Sequence, residues 1–468
     1  MKAWGSVIAS IVFALCLGTA WGCGPRNSAQ LPLGTLPPEL HIPEPSQATL
    51  LNADSPPSAD CGLFPDQGGS VEPIATVGLA ERVDPAHAPR PANESERLLF
   101  RQLYETLIRV NCEGNAAPGL ASSWRQEPAG AGQTVLVVTL RQNARFSNDT
   151  PVTATDVVSS WMSGGAGRGS DLRPEVRRVV NSAEVVDDRT LKITLQGRHP
   201  DGILGLAHTD LAIAASVQGS PWPLGTRGAR LDTGSSSLIT LTRTPENTSI
   251  RFLLASGGDG RDFLDRGVDL LLTRAPRTLA YAATLPQFVS APLPWQRTHV
   301  LLTPGGRKAP SITEQGRKAL AGDAVRGEAR GAQGPFWWES FSECQMDMFL
   351  DQPDALSGPG RIIYDSDDAA SRELAERFVG IGTYPSASGL TGAALTQALR
   401  RGNEAGYILS LERRPVDPCR EMLALMGVSR WLDPKTIVPL VDTRLHAIVR
   451  RGRGRAIAEW DGGILLRK

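Results

Sequence analysis

Hydrophobic and polar positions follow two different periods along the chain. In residues 95–110 (SERLLFRQLYETLIRV), Leu98, Leu99, Leu103 and Leu107 recur at helical spacing. This predicts a helix across the whole segment, with Ser95 as its cap. Thr134 to Leu140 (TVLVVTL) is a nearly unbroken β-branched run and predicts a buried strand. Thr190 to Leu195 (TLKITL) alternates strictly and predicts a half-buried one. A helix start falls at Asp156, where Thr153 or Thr155 can accept from the first free amides and the carboxylate favours the positive helix terminus. Strands and helices in irregular order predict an α/β body with mixed sheets rather than a sandwich or a bundle.

The first residues follow neither period. Lys2 precedes an apolar run over 7–17, and small residues lead to Ala20-Trp21-Gly22-Cys23. This reads as an export signal over residues 1–22. The run is short for a spanning helix, and no later stretch reaches the roughly 20 apolar residues that one needs. Ala20 and Gly22 suit an ordinary signal peptidase, while Cys23 resembles the acceptor cysteine of a bacterial lipoprotein, with Trp21 bulkier than that pattern prefers. Cysteine parity favours lipidation of Cys23, because Cys61, Cys112, Cys344 and Cys419 then form an even set in an oxidising compartment. The expected location is the periplasm or cell envelope, with the membrane engaged only through the lipid. Residues 23–70, rich in Pro, Ser, Ala and Asn, read as a disordered tether whose reach is roughly 40 Å.

Composition narrows the function classes. The chain has 468 residues, 41% of them hydrophobic, enough for a large core divided into at least two lobes. Lys plus Arg and Asp plus Glu balance at 49 each, so no global field draws the protein to nucleic acid. Forty-eight glycines and 35 prolines favour turns over long bundles.

Several linked motifs then carry a resemblance. Leu103-Tyr104-Glu105-Thr106-Leu107 is followed by Pro118-Gly119-Leu120-Ala121-Ser122-Ser123-Trp124. The strand Val137-Val138-Thr139-Leu140 runs into Arg141, and Thr153-Ala154-Thr155-Asp156-Val157 opens a helix. In order and spacing these residues resemble the family 5 extracellular solute-binding proteins, which include the dipeptide and oligopeptide receptors of ABC importers. Weaker likenesses follow at Gly225-Thr226, at Gly316-Arg317-Lys318-Ala319-Leu320, at Tyr407-Ile408-Leu409-Ser410-Leu411 with Asp417-Pro418, and at Val438-Pro439-Leu440-Val441.

The resemblance implies a bilobal periplasmic-binding-protein type II (Venus-flytrap) fold. The first lobe spans residues 71–300 with 438–468 returning to it, and the second, shorter than usual, spans 301–437. The hinge then runs through 295–302 and 437–441. It implies a monomer that closes on a small-molecule or peptide ligand and presents it to an ABC permease, with no cofactor, no metal and no catalysis. A binding or sensory lipoprotein without a transporter is the alternative. Trp295, Trp337, Trp338 and Tyr407 are the candidate cleft aromatics. Peptide receptors carry an aspartate three positions before the Asp-Pro turn, where it pairs with the ligand's α-amino group; here Arg414 stands there beside Arg413. A guanidinium cannot anchor an ammonium, so the resemblance points away from free-amine peptides unless both arginines lie on a solvated turn. Of three possible disulfide pairings, Cys61 with Cys112 and Cys344 with Cys419 keeps each bridge within one lobe.

Other motifs compete for chemistry. Asp232-Thr233-Gly234 resembles the catalytic turn of aspartic proteases, but such an enzyme needs two carboxylates sharing a proton, each from its own Asp-Thr/Ser-Gly turn, and there is no second such turn: Asp442-Thr443 runs into Arg444. The six histidines show no HxxxH or HExxH spacing, and no GxSxG elbow occurs. Asp365, Asp367 and Glu376 sit at calcium-loop positions with alanines where further ligands belong, so they read instead as a cap on a helix over 369–378. Arg444, Arg450, Arg451, Arg453 and Arg455 form a basic run that suits either anionic lipid or a solvated strand edge.

Overall fold

A computed structural model describes residues 62–63, 72–111, 114–127, 134–162, 171–195, 202–233, 237–243, 248–255, 259–304, 312–324, 329–331, 360–412, 428–433, 437–454 and 456–467. All belong to one compact unit, residues 40–468.

The chain opens with strand β1 (Thr76–Leu79) and helix α1 (Glu94–Arg101). Asn93, not Ser95, caps α1, accepting from the Glu96 amide at 2.9 Å. Ser95 instead exchanges hydrogen bonds with Glu81. The helix ends at Arg101 rather than running to Val110, because Leu103 to Leu107 is drawn into tertiary pairing: the carbonyl of Leu103 takes the amides of Thr226 and Arg227, and Leu107 takes that of Gly119. Strands β2 (Ile108–Val110) and β3 (Ala116–Pro118) then form a short pair.

Strands β4 (Ala121–Glu127) and β5 (Thr134–Leu140) are followed by helices α2 (Ala154–Trp161) and α3 (Pro174–Arg177). Strands β6 (Val180–Asp187) and β7 (Thr190–Leu195) complete an antiparallel sheet of order β4-β5-β7-β6. The alternation expected in β7 appears as alternate burial, and β5 is buried almost throughout. Helix α2 begins with a capping box: Thr153 accepts from the Asp156 amide, and Asp156 accepts in return from the Thr153 amide at 2.8 Å. Trp161 is fully buried in this layer and donates to the Leu211 carbonyl at 3.0 Å.

The larger sheet follows. Its strands are β8 (Ala229–Thr233), β9 (Leu238–Arg243), β10 (Thr248–Leu254), β11 (Leu270–Thr273) and the long β12 (Phe288–Leu302), with α4 (Gly260–Asp265) and α5 (Pro276–Thr284) between them. After α6 (Glu314–Ala324) come β13 (Ala329–Gly331), β14 (Ile362–Asp365), α7 (Ala369–Gly380), β15 (Ala387–Leu390), α8 (Gly392–Arg401) and β16 (Gly406–Glu412). Strand β17 (Val438–Arg450) then returns beside β12, and the chain finishes with the pair β18 (Ala456–Ala458) and β19 (Ile464–Leu466). The order is β15-β14-β16-β12-β17-β11-β1-β10-β9-β8, with β13 on β17.

Strands β12 and β17 organise this sheet. Their halves near Phe288 and Arg450 carry β11 and the strands beyond it, while their halves near Leu302 and Val438 carry β16 on one side and β13 on the other. The β12–β17 register shifts at Pro292/Trp295, Trp295/Arg297 and His299/Val300. Pro292 and Pro294 supply no amide to the ladder, so the pairing breaks where the two halves meet. Such irregularities twist a strand and re-aim its side chains.

Leu63 lies within the stretch read as a tether, yet it is 2% exposed, joins the core beside Ala456 and Leu79, and bonds its amide to the Ala456 carbonyl. Burying one leucine gains about 2 kcal/mol, enough to pin a local turn. Cys23, Cys61, Cys112, Cys344 and Cys419 and the signal segment lie outside the described residues, and the expectations about them with it.

Candidate functional site

In open α/β sheets ligands bind outside the carboxyl ends of parallel strands. Here β1 runs parallel to both β10 and β11. Beyond the ends of β1 and β11 lies an open crevice of about 150 Å³, lined among others by Gly78, Glu81, Glu94, Ser95 and Arg274. The N-terminal turn of α1 and the segment after β11 are its walls.

At the edge of this crevice a buried charge network ties four distant segments together. Glu94 accepts from Arg274 at 3.1 Å, from Gln296 at 3.1 Å and from Arg297 at 2.8 Å, and pairs with Arg97 at 3.4 Å. Glu412, the last residue of β16, takes Arg97 at 2.5 Å and Arg297 at 3.4 Å. Burial alone pushes Glu94 up, but Arg97, Arg297 and Arg274 together outweigh it and hold the carboxyl below its ordinary value. Arg274 is shifted down by its burial and by Arg297, against the pull of Glu94. Across the bulged part of β12, Thr298 donates to Asp442 at 2.8 Å. His299, fully buried, meets Asp368 at 2.8 Å. Asp368 also caps α7, and although burial opposes it, His299, Arg274 and Arg297 keep it ionised far below the usual carboxylate range.

The aromatic candidates separate. Trp295 is half-buried in the bulge, with the Arg444 guanidinium 4.3 Å from its ring centroid. Tyr407 is core: it is fully buried, 5.5 Å from the Trp431 ring, and its hydroxyl donates to Ala398 at 3.0 Å and accepts from the Glu404 amide. A strand buried on both faces leaves it no route to a ligand. Trp337, Trp338, Arg413, Arg414 and the Asp417-Pro418 turn lie outside the described residues; Glu412, which precedes the two arginines, is the described end of that segment.

Recognisable motifs turn out to hold the backbone. A Cβ at Gly225 would stand 2.3 Å from the Leu103 carbonyl oxygen, and one at Gly119 would stand 2.4 Å from that of Thr106. Only glycine lets both turns clamp residues 103–107. Thr226 accepts from the Glu105 amide at 2.9 Å, and Arg141 grips the Glu105 carboxylate through two bonds of 3.0 and 2.6 Å. The basic run is likewise committed: Arg450, Arg451 and Arg453 donate to the carbonyls of Gly267, Pro286 and Pro73, and Arg453 also pairs with Glu72 at 2.8 Å. Asp365 accepts from the Asp367 amide and Asp368 caps α7, so these two acids serve the helix start.

The protease-like motif is also structural. Asp232 is exposed on the edge strand β8, where it accepts from Thr242 at 2.7 Å. Asp442 is buried in β17, with β11, β1, β10 and β9 between the two strands. At about 4.8 Å per strand the carboxylates are roughly 24 Å apart, far too distant to share a proton.

Residues 115–229 match the family model for bacterial extracellular solute-binding proteins, family 5 Middle. Within 96 aligned residues the chain is 32% identical to the periplasmic murein peptide-binding protein MppA of Escherichia coli, covering 20% of this chain and 14% of that one. It is also 32% identical over 117 residues to the periplasmic oligopeptide-binding protein OppA of Escherichia coli, covering 21% of each. Over this stretch the chain is similar to the family 5 solute-binding proteins. These alignments span less than a quarter of either relative, but the fold agreement is wider. The solved structure of the Escherichia coli murein tripeptide-binding protein superposes with a TM-score of 0.58 at 12% identity, over 86% of this chain and 100% of that one. A dipeptide-binding protein of Pseudoalteromonas sp. SM9913, solved with Met-Leu, gives 0.60 at 12% identity over 84% and 98%. The type II periplasmic-binding fold expected from the linked motifs thus stands, and the likeness to family 5 runs through residues 115–229.

Proposed function

We propose that this chain is a receptor of the cell envelope that holds a small solute between residues 71–300 with 438–468 on one side and 301–437 on the other, and delivers it to an ABC importer. Cys23 carries its lipid anchor, the protein acts as a monomer, and no bond of the ligand is made or broken. The observation that carries the reading is the charge network at the strand-end crevice. Arg97 on α1 and Arg297 on β12 meet Glu412, a residue of the 301–437 side, at 2.5 and 3.4 Å. Contacts of this kind between two rigid bodies bias a hinge, and a ligand that engages both sides deepens the bias. Long paired strands with a broken register, β12 and β17, suit the crossing.

The peptide receptors among its relatives support the transport role, and the separation of Asp232 from Asp442 argues against proteolysis. The test is a thermal-shift and native mass-spectrometry screen of the mature chain with peptides, oligosaccharides and organic ions. A ligand at a hundredfold excess over its Kd is expected to raise the melting temperature by about 3 °C with a one-to-one adduct. A screen in which every class leaves both readouts unmoved contradicts the reading. Retention of the protein by a detergent phase, lost in Cys23→Ser, checks the anchor.

A further inference from the structure

On the other side of α1 from the strand-end crevice lies a second pocket, between the helix, residues 104–110 and the turn joining β18 to β19. Four arginines, Arg97, Arg101, Arg109 and Arg227, line it against two carboxylates, Glu459 and Asp461. Both carboxylates are already taken. Asp461 receives Arg101 at 2.5 Å and Arg97 at 3.8 Å, and Glu459 receives Arg101 and, at 3.6 Å, Arg109. The acid nearest Arg227 is Glu105, 3.9 Å away and already held by Arg141. The Nε groups of Arg97, Arg101 and Arg227 are buried without a hydrogen-bond partner among the described residues.

Gathering guanidinium groups in a sheltered space is costly, and Arg109 and Arg227 register it, whereas in Arg97 burial is outweighed by Glu412, Glu94 and Asp461, which shift it up. Arg109 is brought down to about 10 by burial, by Arg227 and by other nearby arginines. Arg227 is lowered chiefly by burial, with Arg101 and Arg141 adding to it against the pull of Glu105. Most of the rest of the wall is apolar or aromatic, including Phe100, Tyr104 and Trp460, with Thr106 and Thr209 among it. Planar guanidinium groups match carboxylate and phosphate oxygens in pairs, and aromatic walls suit a flat apolar body.

We infer that this pocket takes a small organic anion, a carboxylate or phosphate head seated among Arg109, Arg227 and Arg97 with an apolar body against Phe100 and Trp460. Arg97 also pairs with Glu94 and Glu412, so the pocket adjoins the strand-end crevice. Every residue that lines it belongs to the 71–300 and 438–468 side, so the inference goes beyond the receptor reading: it is an anion site on one side of the molecule, next to the strand-end crevice.

The test is calorimetric titration of the mature chain with benzoate, phenyl phosphate and inorganic phosphate, alongside benzyl alcohol, benzylamine and the dipeptide Ala-Ala. The aromatic anions are expected to bind at least tenfold more tightly than the neutral and cationic analogues. Phenyl phosphate ahead of benzoate assigns the head as phosphate, and the reverse order assigns it as carboxylate. Arg227→Gln and Arg109→Gln are each expected to weaken the anions at least tenfold, while Arg125→Gln, on an exposed β4 position paired with Glu127, leaves them unchanged. Circular dichroism on each variant separates lost binding from lost folding, and either arginine variant suffices. Anions that bind no better than benzyl alcohol, or whose binding survives both substitutions in folded protein, overturn the inference. Binding of Ala-Ala or benzylamine in that case leaves the receptor reading intact, whereas silence from every probe counts against both.

Discussion

Two regions of the molecule share helix α1 as a neighbour and are held together by different physics. The clamp formed by residues 103–107, Gly119, Gly225 and Arg141 is specified by the backbone: missing Cβ atoms, paired amides and one bidentate ion pair. The network of Glu94, Arg97, Arg274, Arg297 and Glu412 is specified by charge, with each carboxylate balanced by arginines that arrive from far along the chain. The clamp is where the motifs are recognisable, and it makes a scaffold. The network is where an interaction with a ligand would be felt. Recognisable sequence and the proposed ligand chemistry thus lie in different places.

Substitutions sharpen this contrast. Gly225→Ala forces a methyl against the Leu103 carbonyl and is expected to cost about 4 kcal/mol or to prevent folding, by urea denaturation at neutral pH. Glu94→Gln leaves Arg274 and Arg297 without their shared carboxylate and is expected to cost about 3 kcal/mol, with a steeper loss in low salt. A clamp variant whose cost shrinks with salt, or a network variant whose cost does not, would erase the distinction.

Acid should probe the network selectively. Burial opposes the ionised form of Asp461, yet Arg101 and Arg97 hold it from 3.8 down to about 2. A folded-state value below the unfolded one contributes stability that is complete above the ordinary value and lost as pH falls toward the folded one. About 2 kcal/mol is expected to disappear between roughly pH 4 and pH 2. Asp461→Asn should flatten that limb of the stability curve, and an unchanged limb would show that the pair contributes nothing.

Smaller effects close the series. Thr153→Ala removes one half of the capping box on α2 and is expected to cost about 1 kcal/mol in thermal denaturation, with no effect on solute binding. Asp232→Asn loses one exposed hydrogen bond and is expected to shift stability by less than about 0.5 kcal/mol without altering binding. Proteolytic activity that vanished in this variant would revive the enzyme alternative.

How much of this was legible follows from where each element finds its partners. Strands β5 and β7 and the cap of α2 were readable because their patterns are local: a β-branched run, an alternation, a threonine three residues before an aspartate. Helix α1 is shorter than its pattern suggests because the carbonyls of Leu103 and Leu107, though at helical spacing, are taken by the amides of Thr226 and Arg227 and of Gly119. Leu63 hid in a polar stretch because a single leucine makes no pattern. The arginine sites were invisible for a stronger reason: Arg97 and Glu412 are 315 residues apart, and no periodicity links them. Tyr407 was a sensible aromatic candidate whose burial only the β12–β16–β14 pairing decides.

Hydrogen–deuterium exchange with and without a saturating solute from the screen tests the central contrast most directly. The account expects new protection in residues 94–101 and in residues 407–412 together, with strands β5 and β7 unchanged. Protection confined to β5 and β7, or absent from 407–412, would contradict it.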